Sequence, residues 1–328
     1  MTSWMASVSG GPKIEMKPHI EGGELTIPDP MANLCNLDGS VVTEADARIP
    51  VLDRGFLFGD SVYEVVRTRG DVPFAWPEHW ARLRASAAAI GLELGLDEAT
   101  VARRVAETLA AADHGDSYVR LIVTRGTGEA PNIDLAYATA PARWVVMVRP
   151  LQASDGRPAR VALVERLRND RRALDPATKS GNYLNNVLGL AEAKARDATD
   201  CLMLNATGHV TEASTSNVFV RLGGVFYTPP LADGLLAGVT RGLLLAALPV
   251  HGEQVAERSL TADDLRAAEE MFLSSTLRSI APVTHLDGRA LHGGAPGPAT
   301  SRLIPAFQRY VDERLERLDA PQWRRLVG

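Results

Sequence analysis

The chain is predicted to fold as an α+β protein in two parts. Strand-like and helix-like patterns come in segregated runs, the second half is rich in hairpins, and 328 residues with 45% apolar content can bury a sizeable core. Residues 1–31 contain Gly10-Gly11, Gly22-Gly23 and Pro28 and Pro30, with no apolar stretch long enough for a signal peptide, and read as an extension. Residues 32–150 read as a smaller α/β domain and 151–157, around Ser154-Asp155-Gly156, as a linker. Residues 158–328 read as a larger domain with a mixed or antiparallel sheet.

The elements follow from periodicity. Val62 to Thr68 alternates as a strand before the turn at Gly70-Asp71. His79 to Leu92 places Trp80, Leu83, Ala87 and Ile90 at helical spacing, and Asp97 to Ala112 does the same with Val101, Val105 and Leu109. Strands Tyr118–Thr124 and Trp144–Val148 flank an irregular Gly/Pro/Ala stretch from 126 to 141, of the kind that often borders a site. The second half opens with the strand Arg160–Val164, then a loop around Lys179 and a helix ending near Asp197. Two hairpins follow, Leu202–Leu204 with His209-Val210 and Val218–Val220 with Val225–Tyr227. A strand at Met271–Leu273 comes later, and helices are expected after Gly238, after the cap signature Thr261/Asp264, and from Pro298 to about Leu318.

A net charge of −5 with no basic run points away from nucleic acid and membrane and toward small molecules. Cys35 and Cys201 are too few for a disulfide framework, which fits a reducing cytoplasm, and the seven scattered histidines predict no metal site.

Lys179 stands out, because the chain has four lysines against 31 arginines. Arginine cannot give up its proton, whereas a lysine desolvated or placed near another cation can become the neutral amine that attacks a carbonyl. An exposed loop lysine is the plainer alternative. Leu236-Ala237-Gly238-Val239-Thr240-Arg241 precedes an apolar helix and could cradle a phosphate; it also fits a turn glycine with a threonine cap. Ser274-Ser275-Thr276 is a second hydroxyl cluster, or simply a polar strand end. Arg82 could clamp a phosphate or be solvated. Glu212 could pair with a pyridine nitrogen or be a surface hairpin acid.

Taken in order, Leu52–Asp60, Val62-Tyr63-Glu64, His79-x-x-Arg82-Leu83, Lys179-Ser-Gly-Asn-Tyr183-Leu184, Thr211–Phe219, Gly238–Arg241 and Ser275-Thr276 with Ile280–Val283 resemble the fold type IV pyridoxal-phosphate enzymes over roughly residues 32 to 310. That family includes branched-chain and D-amino acid aminotransferases, R-selective amine transaminases and aminodeoxychorismate lyases. The resemblance implies pyridoxal 5'-phosphate as cofactor, bound by the larger domain, and Lys179 as Schiff-base lysine and proton shuttle. Arg82, Val239, Thr240 and Thr276 would bind the phosphate, with Gly238 and Ser275 also at the cofactor, while Glu212 would hold the ring nitrogen, Tyr183 the ring hydroxyl and Leu236 would pack on the ring face. Phe58, Tyr63, Arg67, Tyr118, Arg120 and Leu277 would face substrate. The partners implied are an amino donor and a 2-oxo acid, with the site near the interface of a homodimer, where Phe58 could serve the partner's pocket.

The substrate side is a hybrid. Tyr118-Val119-Arg120 is similar to the Tyr-x-Arg strand of branched-chain enzymes, and Arg67 matches an arginine of that group. Val65 replaces its glycine and Phe58 its tyrosine, while Ala130 and Asn132 stand in place of the Arg-x-His carboxylate trap of D-enzymes. Arg67 could instead pair with an acid across strands, and Arg120 could be an ordinary strand residue. The expectation is an aminotransferase for L-branched-chain or similar hydrophobic amino acids with 2-oxoglutarate as acceptor. A D-amino acid or R-amine transaminase is the alternative, then a lyase. Intact Lys179 and Glu212 argue against a non-catalytic cofactor-binding protein.

Overall fold

The alternating segments of the first half pair into a six-stranded sheet, and those of the second half into a nine-stranded one. The structure is a computed structural model describing residues 33–152 and 157–328; the expected extension over 1–31 and the linker residues Ser154-Asp155-Gly156 lie outside the described residues. The first half contains β1 (Leu34–Leu37), β2 (Ser40–Thr43), α1 (Arg54–Phe58), β3 (Ser61–Arg69), β4 (Val72–Pro73), α2 (Trp76–Ala89), α3 (Glu98–Ala112), β5 (Ser117–Thr124) and β6 (Arg143–Pro150). Its sheet runs β2-β1-β6-β5-β3-β4 and is antiparallel throughout. In β3, Val62, Glu64 and Val66 face α2, so the period of two leaves Tyr63, Val65 and Arg67 on the opposite face.

The second half contains β7 (Ala159–Leu163), α4 (Leu184–Lys194), β8 (Asp200–Leu204), β9 (Val210–Ala213), β10 (Asn217–Leu222), β11 (Val225–Thr228), α5 (Val239–Ala247), β12 (Gln254–Glu257), α6 (Ala262–Arg266), β13 (Glu270–Ser275), β14 (Ser279–Leu286), β15 (Arg289–Ala290), α7 (Pro298–Arg314) and α8 (Ala320–Val327). The sheet order is β12-β11-β10-β13-β14-β7-β8-β9, with β15 on β14, and parallel pairs at β11/β12, β7/β14 and β7/β8 make it mixed. Both expected hairpins form, and the expected helix cap is met by Thr261 and Asp264 as a full capping box.

Two boundaries and one strand that the sequence reading did not name stand out. Helix α2 begins at Trp76, three residues before His79, because Pro77 suits a first turn and Asp319 Oδ2 accepts the Ala75 N–H at 3.1 Å from far along the chain. The terminal helix is interrupted by a π turn at Leu315–Asp319 and resumes as α8. Pro321 lacks the N–H an α-helix would use there and would clash with the carbonyl four residues back. Strand β14 forms despite Pro282, which pairs with Phe272 on β13 while pairing to β7 starts only at Val283, so no partner on β7 needs the missing donor.

One apolar cluster draws on both halves, joining Val66, Leu83 and Trp144 to Phe219, Phe272 and Leu303. Trp323 of α8 packs edge-on against Trp76 at 5.0 Å, so the last helix covers the first half. The halves also meet through backbone: Tyr63 N donates to the Lys179 carbonyl at 3.0 Å and Gly181 N donates to the Ser61 carbonyl at 2.9 Å. A Cβ at Gly181 would lie 2.3 Å from Ser61 Oγ, so a side chain there would displace that hydroxyl from where the two segments meet.

Phe272 lies fully buried between Phe219, stacked at 4.7 Å, and Phe226, edge-on at 5.3 Å. Phe272→Ala should cost about 3–5 kcal/mol, read as a lower urea midpoint in equilibrium unfolding.

Candidate active site

Lys179 ends a loop whose backbone is held at both sides, by the two bonds to β3 and by Ser86 Oγ of α2, which accepts from Lys179 N at 3.0 Å. Its Nζ donates to the Tyr183 hydroxyl at 3.4 Å and sits 4.3 Å from the Tyr63 ring centre. Tyr63 meets Tyr183 edge-on at 5.3 Å. Burial, then the neighbouring Tyr183, push the Tyr63 phenol well above its ordinary range, so it remains protonated and a donor.

All the residues singled out from sequence except Phe58 and Arg67 line one cavity of about 340 Å³, a volume suited to a small molecule. Phe58 ends α1 with the Arg54 guanidinium 5.1 Å from its ring, outside this chain's cavity. Arg67 shares the cavity-facing side of β3 but lies two residues beyond Val65, over the Phe74 ring at 5.2 Å. Sequence reading assigned no role to Glu64, His79, Arg168, Asn217 or Arg278. Glu64, His79 and Asn217 lay inside quoted motifs, but Arg168 and Arg278 carried no motif and become visible only through their contacts.

On one side, α5 starts at Gly238 and presents its first N–H groups to the cavity beside Thr240, Ser275 and Thr276. A Cβ at Gly238 would collide with Asn217 Oδ1, so the close approach requires glycine. Ser274 Oγ lines the same wall, is buried, and has no hydrogen-bond partner among the described residues. Arg82 reaches in from α2. Its Nε and Nη2 donate to Glu64 at 2.7 and 2.8 Å and its Nη1 to the Ala237 carbonyl at 3.0 Å, which leaves one N–H on each terminal nitrogen. Glu64 Oε2 also meets His79 Nδ1 at 2.8 Å, with both side chains completely buried. Burial alone would raise the Glu64 pKa; Arg82 and then His79 outweigh it and bring it from 4.5 to about 2. Burial likewise pushes His79 below its usual value, against the pull of Glu64.

On another side, Glu212 on β9 accepts from Arg168 Nε at 3.0 Å, Leu236 N at 3.1 Å and Asn217 Nδ2 at 3.4 Å. The carboxylate is buried, charge-paired and fixed. The remaining wall carries Tyr118 and Arg120 from β5 and Leu277 and Arg278 from the β13–β14 turn. Arg120 stacks on Tyr63 at 4.2 Å and pairs with no acid among the described residues.

The arrangement fits a phosphorylated pyridine aldehyde. A helix start that only glycine permits, an orphaned buried hydroxyl and an arginine with spare donors suit a phosphate, and an anchored carboxylate suits a ring nitrogen. The comparisons agree. The amino-transferase class IV family matches residues 61–286, and the chain belongs to this pyridoxal-phosphate-dependent family of transaminases. It is 35% identical over 274 residues to a putative branched-chain-amino-acid aminotransferase of Methanocaldococcus jannaschii, covering 83% of this chain and 94% of that one. It is 32% identical over 274 residues to a D-alanine aminotransferase of Bacillus licheniformis, covering 84% and 95%. A solved branched-chain amino acid aminotransferase from T.th., complexed with N-(5'-phosphopyridoxyl)-L-glutamate, superimposes with a TM-score of 0.80 at 27% identity over 89% of this chain and 97% of that one. The fold is therefore the expected α+β fold type IV architecture. Among the described residues, no helix is long and apolar enough to cross a membrane.

Because the folded-state pKa of Glu64 is depressed, its ionised form contributes stability above the unfolded value, and that contribution is lost as pH falls from about 4.5 toward about 2. Urea midpoints of the wild type and Glu64→Gln should therefore differ most near neutral pH and converge through that window. The variant should also hold the cofactor about tenfold more weakly in equilibrium dialysis, since Arg82 loses its ionic anchor.

Proposed function

We propose that the chain transfers the amino group of an L-branched-chain or similar hydrophobic amino acid to a 2-oxo acid such as 2-oxoglutarate. The observation that carries this reading is Arg120, a guanidinium on the cavity wall beside Tyr118 with no acid partner among the described residues. A substrate carboxylate would supply that partner, while Val65, Leu277 and the Tyr63 ring offer apolar surface to a hydrocarbon side chain. The similarity to a putative branched-chain enzyme supports the donor class, and the glutamate adduct bound by the T.th. enzyme supports the acceptor.

Pyridoxal phosphate, when bound, supplies an electron sink for the pair left as the substrate Cα loses its proton. This chain's residues do the rest. Lys179 Nζ, held between two tyrosine rings, moves that proton. Glu212, anchored by Arg168 and the Leu236 N–H, retains a proton at the ring nitrogen. Tyr183 orients the ring hydroxyl, and Arg82 with the start of α5 holds the phosphate.

The chain works as a homodimer. Val51, Phe56, Ile133 and Leu184 are 73%, 71%, 79% and 67% exposed. They lie on segments tied together by Arg54 Nη2 to the Ile133 carbonyl and by Asn182 Nδ2 to the Gly59 carbonyl, and exposed apolar side chains of this size suit an interface. Light scattering should give twice the chain mass, and Phe56→Asp should shift it toward the single-chain mass.

The visible absorption of the cofactor-loaded protein should bleach with L-leucine and return with 2-oxoglutarate. Lys179→Ala should abolish both changes, and Arg120→Ala should weaken L-leucine about 10- to 100-fold through loss of a charged hydrogen bond. Bleaching by D-alanine alone, the substrate class of the Bacillus licheniformis relative's name, would overturn the donor assignment.

A further inference from the structure

We propose that Asp319 is a positioning residue that sets where Arg82 meets the phosphate, acting through helix α2 from the far end of the chain. The inference rests on the reading above, in which Arg82 and the start of α5 hold the phosphate. Asp319 closes the π turn between α7 and α8, is 2% exposed, and stands outside the cavity.

Helix α2 has no side-chain cap of its own. Ala75, at its N-cap, adopts a left-handed φ of 54°, a conformation that alanine holds only where its surroundings fix it. Asp319 supplies what is missing, since Oδ2 accepts the Ala75 N–H at 3.1 Å and the carboxylate faces the positive end of the helix. Oδ1 accepts from Arg314 Nε at 3.2 Å, and Nη2 of the same guanidinium reaches Glu78 in the first turn of α2. From there the contacts run on without a break. The Ala75 carbonyl accepts from His79 N at 3.1 Å, His79 Nδ1 meets Glu64 Oε2 at 2.8 Å, and Glu64 takes two donors of Arg82. One turn further along α2, Ser86 Oγ accepts from Lys179 N.

The same C-terminal segment is tied to the phosphate side of the second sheet. At the start of α7, buried Glu270 accepts from Ala299 N at 3.0 Å, Thr300 N at 2.8 Å and Thr300 Oγ1 at 2.8 Å. Glu270 opens β13, whose other end carries Ser274 and Ser275. Helices α7 and α8 therefore form a strut between the strand that presents the phosphate hydroxyls and the helix that presents the phosphate arginine. Arg82 lies seven residues beyond Ala75, about 10 Å along α2, so an axial shift at the start of the helix is carried to the guanidinium. Charge-assisted bonds to a phosphate need their donors placed within about 0.5 Å. Asp319 holds that spacing.

The test compares two ligands that differ only in the phosphate, and it does not depend on turnover. Full-length wild type, Asp319→Ala, Asp319→Asn and Arg82→Gln are loaded with pyridoxal phosphate or with pyridoxal, and affinities are read by equilibrium dialysis. Asp319→Ala should bind pyridoxal phosphate at least about tenfold more weakly while pyridoxal shifts by less than about threefold. Asparagine, which keeps an acceptor for Ala75 N, should recover most of the loss. Leu265→Ala, a truncation in a separate core cluster, should leave the ratio of the two affinities unchanged. Equal weakening of both ligands by Asp319→Ala would mean that Asp319 only stabilises the fold, and no weakening of either would remove it from the site; either overturns the proposal. If alanine prevents folding, Asp319→Ser, one bond too short to reach Ala75 N, reads the same ratio. A selective loss of pyridoxal phosphate in Arg82→Gln beside an unchanged ratio in Asp319→Ala overturns this proposal alone. An unchanged ratio in Arg82→Gln overturns the phosphate assignment and this proposal with it.

Discussion

Two backbone hydrogen bonds, from Tyr63 N to the Lys179 carbonyl and from Gly181 N to the Ser61 carbonyl, make one cavity out of two sheets. They place the lysine loop of the second half along the first residues of β3. From there the pleat of β3 does two jobs at once. Tyr63 and Val65 face the cavity, and Glu64 between them faces α2, where it fixes His79 and Arg82. A one-residue slip in that register would turn Glu64 into the cavity and Tyr63 away from Lys179. Antiparallel pairing with β5 over seven residues, and the continuous apolar cluster behind it, oppose such a slip.

The charged groups around the cavity obey one pattern. A group on the wall is held by an opposite charge one layer behind: Arg82 by Glu64, Glu212 by Arg168, and Arg278 by Asp200. Pairs of this kind add little net stability, because desolvation offsets much of their attraction, but removing one partner leaves a buried charge alone. Their value here is geometric. Each fixes a donor or acceptor before any ligand arrives, so less ordering remains to be done on binding. Arg120 and Lys179 are the exceptions, held by aromatic faces instead of acids, which leaves their charge available to substrate and to proton movement.

Elements with strong periodicity were legible in the sequence. Strands β3, β5 and β6, helix α3, the Val218–Tyr227 hairpin and the Thr261 cap appear within a residue or two of where alternation and capping place them. Short or atypical elements were not. Strands β1 and β2 have four residues each, too few for a period, and β14 hides behind Pro282. The true start of α2 depends on Asp319, and the break before α8 on Pro321 inside an otherwise helical pattern.

The site divides along the same line. Residues in short local motifs, Lys179 with Tyr183, Gly238 to Thr240, Glu212 and Arg82, could be identified from sequence because a glycine-led helix start or a lone lysine is a local signal. By itself the sequence determined the residue types, the family and the cofactor chemistry they imply. Only the tertiary structure decided which of 31 arginines face the cavity and what stands behind each. Arg168 and Arg278 look like any surface arginine until β9 and β8 bring Glu212 and Asp200 to them, while Arg67, chosen by motif, lies beyond the cavity over Phe74. The physical reason is that an arginine's role is set by its partner, and these partners lie 44 and 78 positions away in the chain, beyond any local pattern.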